Sequence, residues 1–372
     1  MKDLSGYLKL RRPGIRQLAG TVGIATLLLG TSMGAALADG ATFEGGGQIG
    51  KDDGYGDYEY ALAAPTYAVA TEDTLYQYGT GKDGNAYYVT YDGSEWSEWQ
   101  GYADQPTKYV QDPAPAVYQD TAYVSYLGDD GKYYFADGAE WTDISGDYTF
   151  EYAPTMNVYG EKLYVYGTAS DGSVYWKDYD GSAWGEWGAI SDETTSAYEV
   201  YAVDWDGYNN VLWTDAEGAT SWNRWDGTAW TGTKALPGDY EMADAVYAVG
   251  YDDSLYAMGS TKDGKGAYNV FKQEDGWSGW AALDGTPEVK YQPAVHVYED
   301  ALHAVYTGDD GKGYYVSYNA DGWTEYTDLG GNYAYETGLY EYGDAYHVTY
   351  TGKDGYAYYK EYKAADGEDA GY

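Results

Sequence analysis

Residues 153–187, APTMNVYGEKLYVYGTASDGSVYWKDYDGSAWGEW, read as four short antiparallel strands, and this unit decides the fold. Two β-prone runs, one ending at Tyr159 and one starting at Lys162, flank the two-residue turn Gly160-Glu161, which predicts a hairpin. A turn at Asp171-Gly172 leads into a third strand through Tyr175 and Trp176 to Tyr179. A turn at Asp180-Gly181 then leads into a fourth, from Ala183 to Trp187. Four such strands make one propeller blade.

The unit recurs around the chain. Its Asp-Gly block places a glycine at Gly84, Gly131, Gly172, Gly218, Gly264, Gly311 and Gly355, at steps of 47, 41, 46, 46, 47 and 44 residues, and only the fourth block has Glu217 in place of Asp. A Trp follows each of the first six blocks: Trp96, Trp141, Trp184, Trp230, Trp277 and Trp323. A period of about 40 to 50 residues with several short strands per unit predicts an all-β fold, a seven-bladed β-propeller of four-stranded antiparallel blades. Hairpin turns equivalent to Gly160-Glu161 fall at Glu72-Asp73, Gln119-Asp120, Asp206-Gly207, Asp252-Asp253, Glu299-Asp300 and Gly343-Asp344.

Register is legible in the second strand of each unit. Leu75 and Gln77, Ala122 and Val124, Leu163 and Val165, Leu255 and Ala257, Leu302 and Ala304, and Tyr346 and Val348 are mostly apolar, as one face of a strand requires. Between them stand Tyr76, Tyr123, Tyr164, Asn210, Tyr256, His303 and His347. Two of the three histidines thus occupy a slot that is Tyr in four other units, which favours packing over catalysis. His296, in a first strand with no obvious partner, reads the same way.

The last repeat has no Trp-bearing fourth strand. Asp39 to Ile49, DGATFEGGGQI, aligns without gaps on Asp180 to Ile190, DGSAWGEWGAI, with Phe43 in the Trp slot. The N-terminal strand 39–49 is therefore expected to complete the last blade and close the ring, removing the exposed edges that invite aggregation. Residues 50–63, acidic and rich in Gly and Tyr, form the connector, and 64–372 the seven repeats. Asp366 to Tyr372, which starts with the same Asp-Gly but lacks the aromatic, is the rival final strand.

Residues 1–38 read as an export signal peptide. Lys2, Lys9, Arg11, Arg12 and Arg16 precede an uncharged stretch from Gln17, and Ala36-Leu37-Ala38 fits a cleavage site before Asp39. Arg11-Arg12 allows a twin-arginine route beside the general secretory one. The stretch is also just long enough to span a bilayer as an uncleaved anchor, but its small residues favour cleavage, with no stable membrane insertion afterwards. The protein is expected outside the cytoplasm: extracellular, at the cell surface or periplasmic. Without residues 1–38, which hold five bases and Asp3, 16 bases and 60 acids remain, a formal charge of −44. Nucleic acid is excluded as a partner, because phosphate backbones require clustered Lys and Arg. Such acidity serves solubility, a high-salt habitat or bound cations. There is no Cys, so neither disulfides nor thiolate metal sites occur.

The unit LYVYGTASDGSVYW (163–176) with DGSAWGEW (180–187), echoed in Trp96-Ser97-Glu98-Trp99 and Trp277-Ser278-Gly279-Trp280, resembles the bacterial seven-bladed propeller lectins of the fucose-binding type and related tandem-repeat propellers. The resemblance spans all seven repeats, and it implies shallow sugar sites between blades or at blade ends, hence multivalent binding to carbohydrate. The heavy Tyr content and acidity depart from it, and no family pocket maps residue by residue. Sugar recognition needs aromatic faces beside polar hydrogen-bonding groups. The candidate ligand-binding residues are therefore Trp96, Trp141, Trp184, Trp230, Trp277 and Trp323, with Trp99, Trp187 and Trp280 three residues on. Residues three apart on a strand point to opposite faces, so at least one Trp of each pair should pack against the next blade.

The Asp-Gly blocks also resemble the Asp-box turn of sialidases, a structural turn. Sialidases grip a substrate carboxylate with several arginines, whereas Arg224 is the only Arg after the signal. Hydrolysis by a carboxylate pair has no pair singled out. No catalytic residue and no cofactor are expected. Gly128-Asp129-Asp130-Gly131 and Gly308-Asp309-Asp310-Gly311 lack the alternating oxygen ligands of a Ca²⁺ loop, which leaves weak or shared cation binding. The sequence thus points to a secreted or cell-surface binding protein, multivalent and lectin-like. A structural or adhesive surface protein that self-associates is the alternative, with Tyr in exposed patches rather than recessed pockets. A glycoside-acting enzyme comes third.

Overall fold

The computed structural model describes residues 42–50, 61–138, 140–190, 194–285, 287–342 and 345–363. The expected signal peptide, residues 39–41, residues 51–60 of the connector, the turn Gly343-Asp344 and the rival tail Asp366–Tyr372 lie outside them.

Seven antiparallel sheets form the blades of a propeller, and no helix occurs among the described residues. In the first blade the strands run Tyr67–Ala70, Leu75–Thr80, Ala86–Tyr91 and Gln100–Gly101, in that order across the sheet. The first strand of every blade touches the first strand of the next, and Tyr67–Ala70 also touches Tyr333–Tyr342 of the seventh, so the innermost strands form a closed circle. The hairpin turns adopt the left-handed backbone that suits the twist of paired strands, with φ of 50° and 59° at Gln119 and Asp120, and 53° and 76° at Asp206 and Gly207.

The Asp-Gly blocks join the blades. All seven block glycines have φ between 76° and 91°, a region that costs other residues about 1–2 kcal/mol. In most blocks the preceding Asp accepts the N–H two residues on, as Asp83 does from Asn85 at 2.9 Å and Asp171 from Ser173 at 2.9 Å. The carbonyl of each block glycine accepts an N–H from the segment entering the next blade: Gly84 from Tyr109, Gly131 from Phe150, Gly172 from Ser196, Gly218 from Met242, Gly264 from Val289 and Gly311 from Tyr333. The belt ends where it began, with Leu62 N–H on Gly355 at 2.7 Å.

Closure follows the expectation from Phe43. Thr42–Gln48 pairs antiparallel with Ala357–Lys363, with Phe43 opposite Tyr362, as the outermost strand of the seventh blade. Phe43 is 2% exposed and packs on Tyr315, Tyr346 and Tyr362.

The fourth strand differs from its expected span. In the third blade it is Gly188–Ala189, while Trp184 makes a lone bridge to Tyr179. Between them the chain arches out of the ladder, with Gly185 N–H on Asp178 O at 2.8 Å. The outer strand is likewise split in the fifth and sixth blades, into Gly276–Trp277 and Ala281–Ala282, and Gly322–Trp323 and Thr327–Gly330.

Candidate functional site

The arch changes where the tryptophans go. Trp184 and Trp187 both face the second blade: Trp184 meets Phe135 edge-on at 4.9 Å, Trp187 packs on Phe150 at 4.9 Å, and its Nε1 donates to Ile144 O at 2.8 Å. Trp96 and Trp99 both face the seventh blade, through Tyr359 and through Ile49 O at 3.1 Å. Trp277 and Trp280 both lie in the seam with the fourth blade. The expectation of opposite faces held for a continuous strand, and the chain here is not one; each pair packs on the preceding blade. Trp141 lies against Tyr102 of the first blade, Trp230 against Trp176 of the third and Trp323 against Tyr268 of the fifth. Trp99 and Trp280 are buried and the other seven half-buried. All nine therefore line the seams between blades, and seven of them reach solvent there.

Several seams hold buried donors with no acceptor. Trp141 Nε1, Trp230 Nε1, Trp277 Nε1 and Trp323 Nε1 are enclosed and make no hydrogen bond. Leaving such a group unpaired costs about 1–3 kcal/mol.

The seam between the fourth and fifth blades is the most elaborated. Register puts Arg224 opposite Asn210, on the face of the fourth blade that carries Trp222 two residues back. Its guanidinium carbon lies 4.4 Å from the ring centre of Tyr208, 4.8 Å from Trp222 and 5.4 Å from Phe271 of the fifth blade. Trp277 stands edge-on to Trp222 at 5.3 Å and closes the cage. Arg224 Nη1 reaches Gln273 Oε1 at 3.5 Å, Gln273 Nε2 is held by Asp206 Oδ2 at 2.5 Å, and Arg224 Nε is buried without a partner. Among the described residues Arg224 makes no ion pair, in a chain with 61 acids. A planar, half-buried guanidinium stacked on rings presents a cationic edge and an apolar wall, while Nε–H and Trp277 Nε1–H lie enclosed and unpaired behind it. The sequence signal was present: the lone Arg of the repeats sits in Trp222-Asn223-Arg224-Trp225.

The histidines pack. His303 is fully buried, with Nε2 by Tyr298 O at 3.1 Å and Nδ1 by Tyr315 Oη at 2.9 Å, and His296 stacks on Tyr346. Burial pushes both well below the usual 6.5, to about 4 for His296 and about 3 for His303. Both stay neutral in the fold while the unfolded chain takes up protons below 6.5, so they withdraw stability as pH falls from about 6.5 towards 4. Over that range the urea midpoint of His303→Asn is expected to change more favourably than that of wild type, by the His303 share of the loss; the same change in both proteins would remove His303 as a cause.

Among the described residues no three His, Asp or Glu side chains are grouped to hold a metal ion.

No family model matches the sequence, and no curated protein matches it. Solved structures do share its fold. The BP39L lectin from Burkholderia pseudomallei superposes with a TM-score of 0.70 at 14% identity, over 84% of this chain and 98% of that one. BBS1N, solved in complex with ARL6DN, gives 0.56 at 11% identity over 86% and 98%. The six-bladed, fucose-recognising lectin of Aleuria aurantia gives 0.46 at 11% identity over 73% and 96%. The chain is a seven-bladed β-propeller that shares its fold with the BP39L lectin.

Proposed function

We propose that this chain is an exported, multivalent carbohydrate-binding propeller that acts by binding rather than catalysis, with its principal sugar site at the seam of the fourth and fifth blades. The observation that carries the reading is the Arg224 cage, a half-buried guanidinium donor stacked on Tyr208, Trp222 and Phe271 beside half-buried Trp277. Sugar hydroxyls accept from such donors while the C–H face of the ring lies on Trp or Tyr. The half-buried Trp of the other seams supply weaker copies of the same wall, and repetition adds avidity. That a solved lectin shares the fold supports the reading. So does the placing of Tyr. The described tyrosines are buried or half-buried, and Val110 is the one exposed large apolar residue among the described residues, where a self-adhesive ring would spread aromatics over its faces.

A glycan array run with and without Ca²⁺, at low and high salt, tests this. Wild type is expected to bind a defined sugar, competed by the same sugar free in solution. Arg224→Ala and Trp277→Ala should weaken it roughly 10- to 100-fold, the worth of hydrogen bonds to a charged group and of a stacked ring. Undiminished binding in both variants would move the site to another seam. A blank array with salt- or Ca²⁺-dependent assembly would replace the reading with the self-associating surface protein.

A further inference from the structure

Six of the seven blades send a polar side chain towards the ring axis. They are Tyr67 from the first blade, Asp112 from the second, Glu199 from the fourth, Asp244 from the fifth, Gln292 from the sixth and Glu336 from the seventh, all at or just before an innermost strand. Gln292 Nε2 donates to Glu199 Oε1 at 2.9 Å. The two belong to blades that are not neighbours, and side chains of such blades meet only across the axis. Tyr67 Oη lies 3.3 Å from Asp112 Oδ2 and 3.3 Å from Glu336 Oε1, so one hydroxyl proton serves carboxylates of the second and seventh blades. Gln292 is 3% exposed and Glu336 8%, while Asp112, Glu199 and Asp244 are half-buried.

The hydrogen-bond count does not close. Four carboxyls offer acceptors in excess, while Tyr67 and Gln292 are the donors among these six residues, and Gln292 Oε1 is itself buried without a partner. Among the described residues, the other ionisable groups whose charge couples to the cluster are tyrosines: Tyr133, Tyr152, Tyr198, Tyr247 and Tyr335. No Lys, Arg or His is among them, and the described ion pairs lie elsewhere. Four ionised carboxylates facing one another without a cation repel, and a proton on one both removes a charge and supplies a missing donor.

We propose that the axis is a proton-held clasp, in which protons carried by Asp112, Glu199 and Asp244 tie together blades that do not touch as neighbours, and whose loss in alkaline solution loosens the ring. The directions agree. Burial first, then the neighbouring carboxylates, raises Glu199 to about 8 and Asp244 to about 7, and Asp112 is raised by burial and by Glu336. For carboxyls raised in the fold, stability is complete below the ordinary carboxylate range and is lost as pH rises through the raised values. Between pH 7 and 8 the two buried histidines are largely neutral in both states, and the tyrosines, whose ordinary value is 10.0, stay protonated in the unfolded chain too, so this window isolates the clasp.

Thermal melts of the purified protein across that window test it. The melting temperature of wild type is expected to fall by roughly 3–6 °C from pH 7 to pH 8. Glu199→Gln and Asp112→Asn, each a permanent stand-in for the protonated acid, should each flatten the slope, and together remove most of it. Slopes identical to wild type would overturn the proposal. So would a millimolar Ca²⁺ addition that restores the alkaline melting temperature of wild type but not of Glu199→Gln, because the axis would then be a cation site.

Discussion

Deleting Thr42–Ile49 is expected to lower the melting temperature by more than about 10 °C and to make the protein aggregate on heating. The segment is a staple among three blades. Phe43 fills a cage of Tyr315 from the sixth blade and Tyr346 and Tyr362 from the seventh, with ring centres 5.3–5.5 Å away. Ile49, 1% exposed, donates its N–H to Ala357 O at 2.8 Å, and its carbonyl accepts from Trp99 Nε1 of the first blade at 3.1 Å. Its loss strips the outer edge of Ala357–Lys363 and opens the seam between the last and first blades. Phe43→Ala alone should cost about 3–5 kcal/mol, the usual toll of emptying an aromatic site. Gly46 gives a second point variant: its φ is +80°, a register shift lies between Glu44 and Gly47, and a Cβ there would stand 1.9 Å from Tyr359 O. Gly46→Ala should therefore unseat the strand, while Gly47→Ala, whose nearest atom is 3.9 Å away on the Tyr359 side chain, should be mild. A melting temperature unchanged by the deletion would remove this strand as the closure.

The repeat was legible because it is enforced by backbone chirality. A glycine at positive φ is required in every block, so it recurs whatever the blade buries, and even the fourth block keeps Gly218 while Asp215 takes over the turn, accepting Ala219 N–H at 2.8 Å. Phe43 was legible for a related reason, since a fourth strand missing from one end of the chain had to be supplied by the other. The direction of the tryptophans was not. Trp184 and Trp187 obey strand alternation only if the strand is continuous, and the arch at Gly185 turns both to one side. The axial carboxyls were illegible for the opposite reason to the glycines. Aligned on their entry segments, Asp112, Glu199 and Glu336 correspond to Pro65, Ala153, Ala245 and Gln292. The axis is one place shared by seven blades, so its residues differ from blade to blade, and reading by period averages them away. Arg224 falls between these cases: its rarity was visible, but its cage is built from Tyr208, Trp222 and Phe271 on two blades and required the seam.

Gly218→Ala is expected to be the most damaging of the block-glycine substitutions. Gly218 has φ +90°, which alone costs an alanine about 1–2 kcal/mol. The added methyl would also stand 2.6 Å from Met242 O and 2.8 Å from Met242 N, and these are backbone atoms of the segment entering the fifth blade. They cannot give way without breaking the bond from Met242 N–H to Gly218 O at 2.9 Å, one link of the belt that joins the blades. Met242 is itself fully buried in the seam that carries the Arg224 cage. A loss of roughly 3–5 kcal/mol follows from strain, clash and a broken buried hydrogen bond together. Gly207→Ala supplies the control. Its φ of +76° carries the same backbone cost, but nothing lies within 4 Å of the added methyl, so it should lose only about 1–2 kcal/mol. Gly131→Ala falls between, with Phe150 O at 3.5 Å. Denaturation midpoints of the three variants should therefore rank 207, then 131, then 218. If Gly218→Ala were no worse than Gly207→Ala, the block glycine would matter for its turn alone, and the close approach of the next blade would carry no energetic weight. If the ranking holds, Gly218→Ala should also weaken sugar binding at the Arg224 cage, because the seam it pries open positions Phe271 and Trp277 against Arg224 and Trp222.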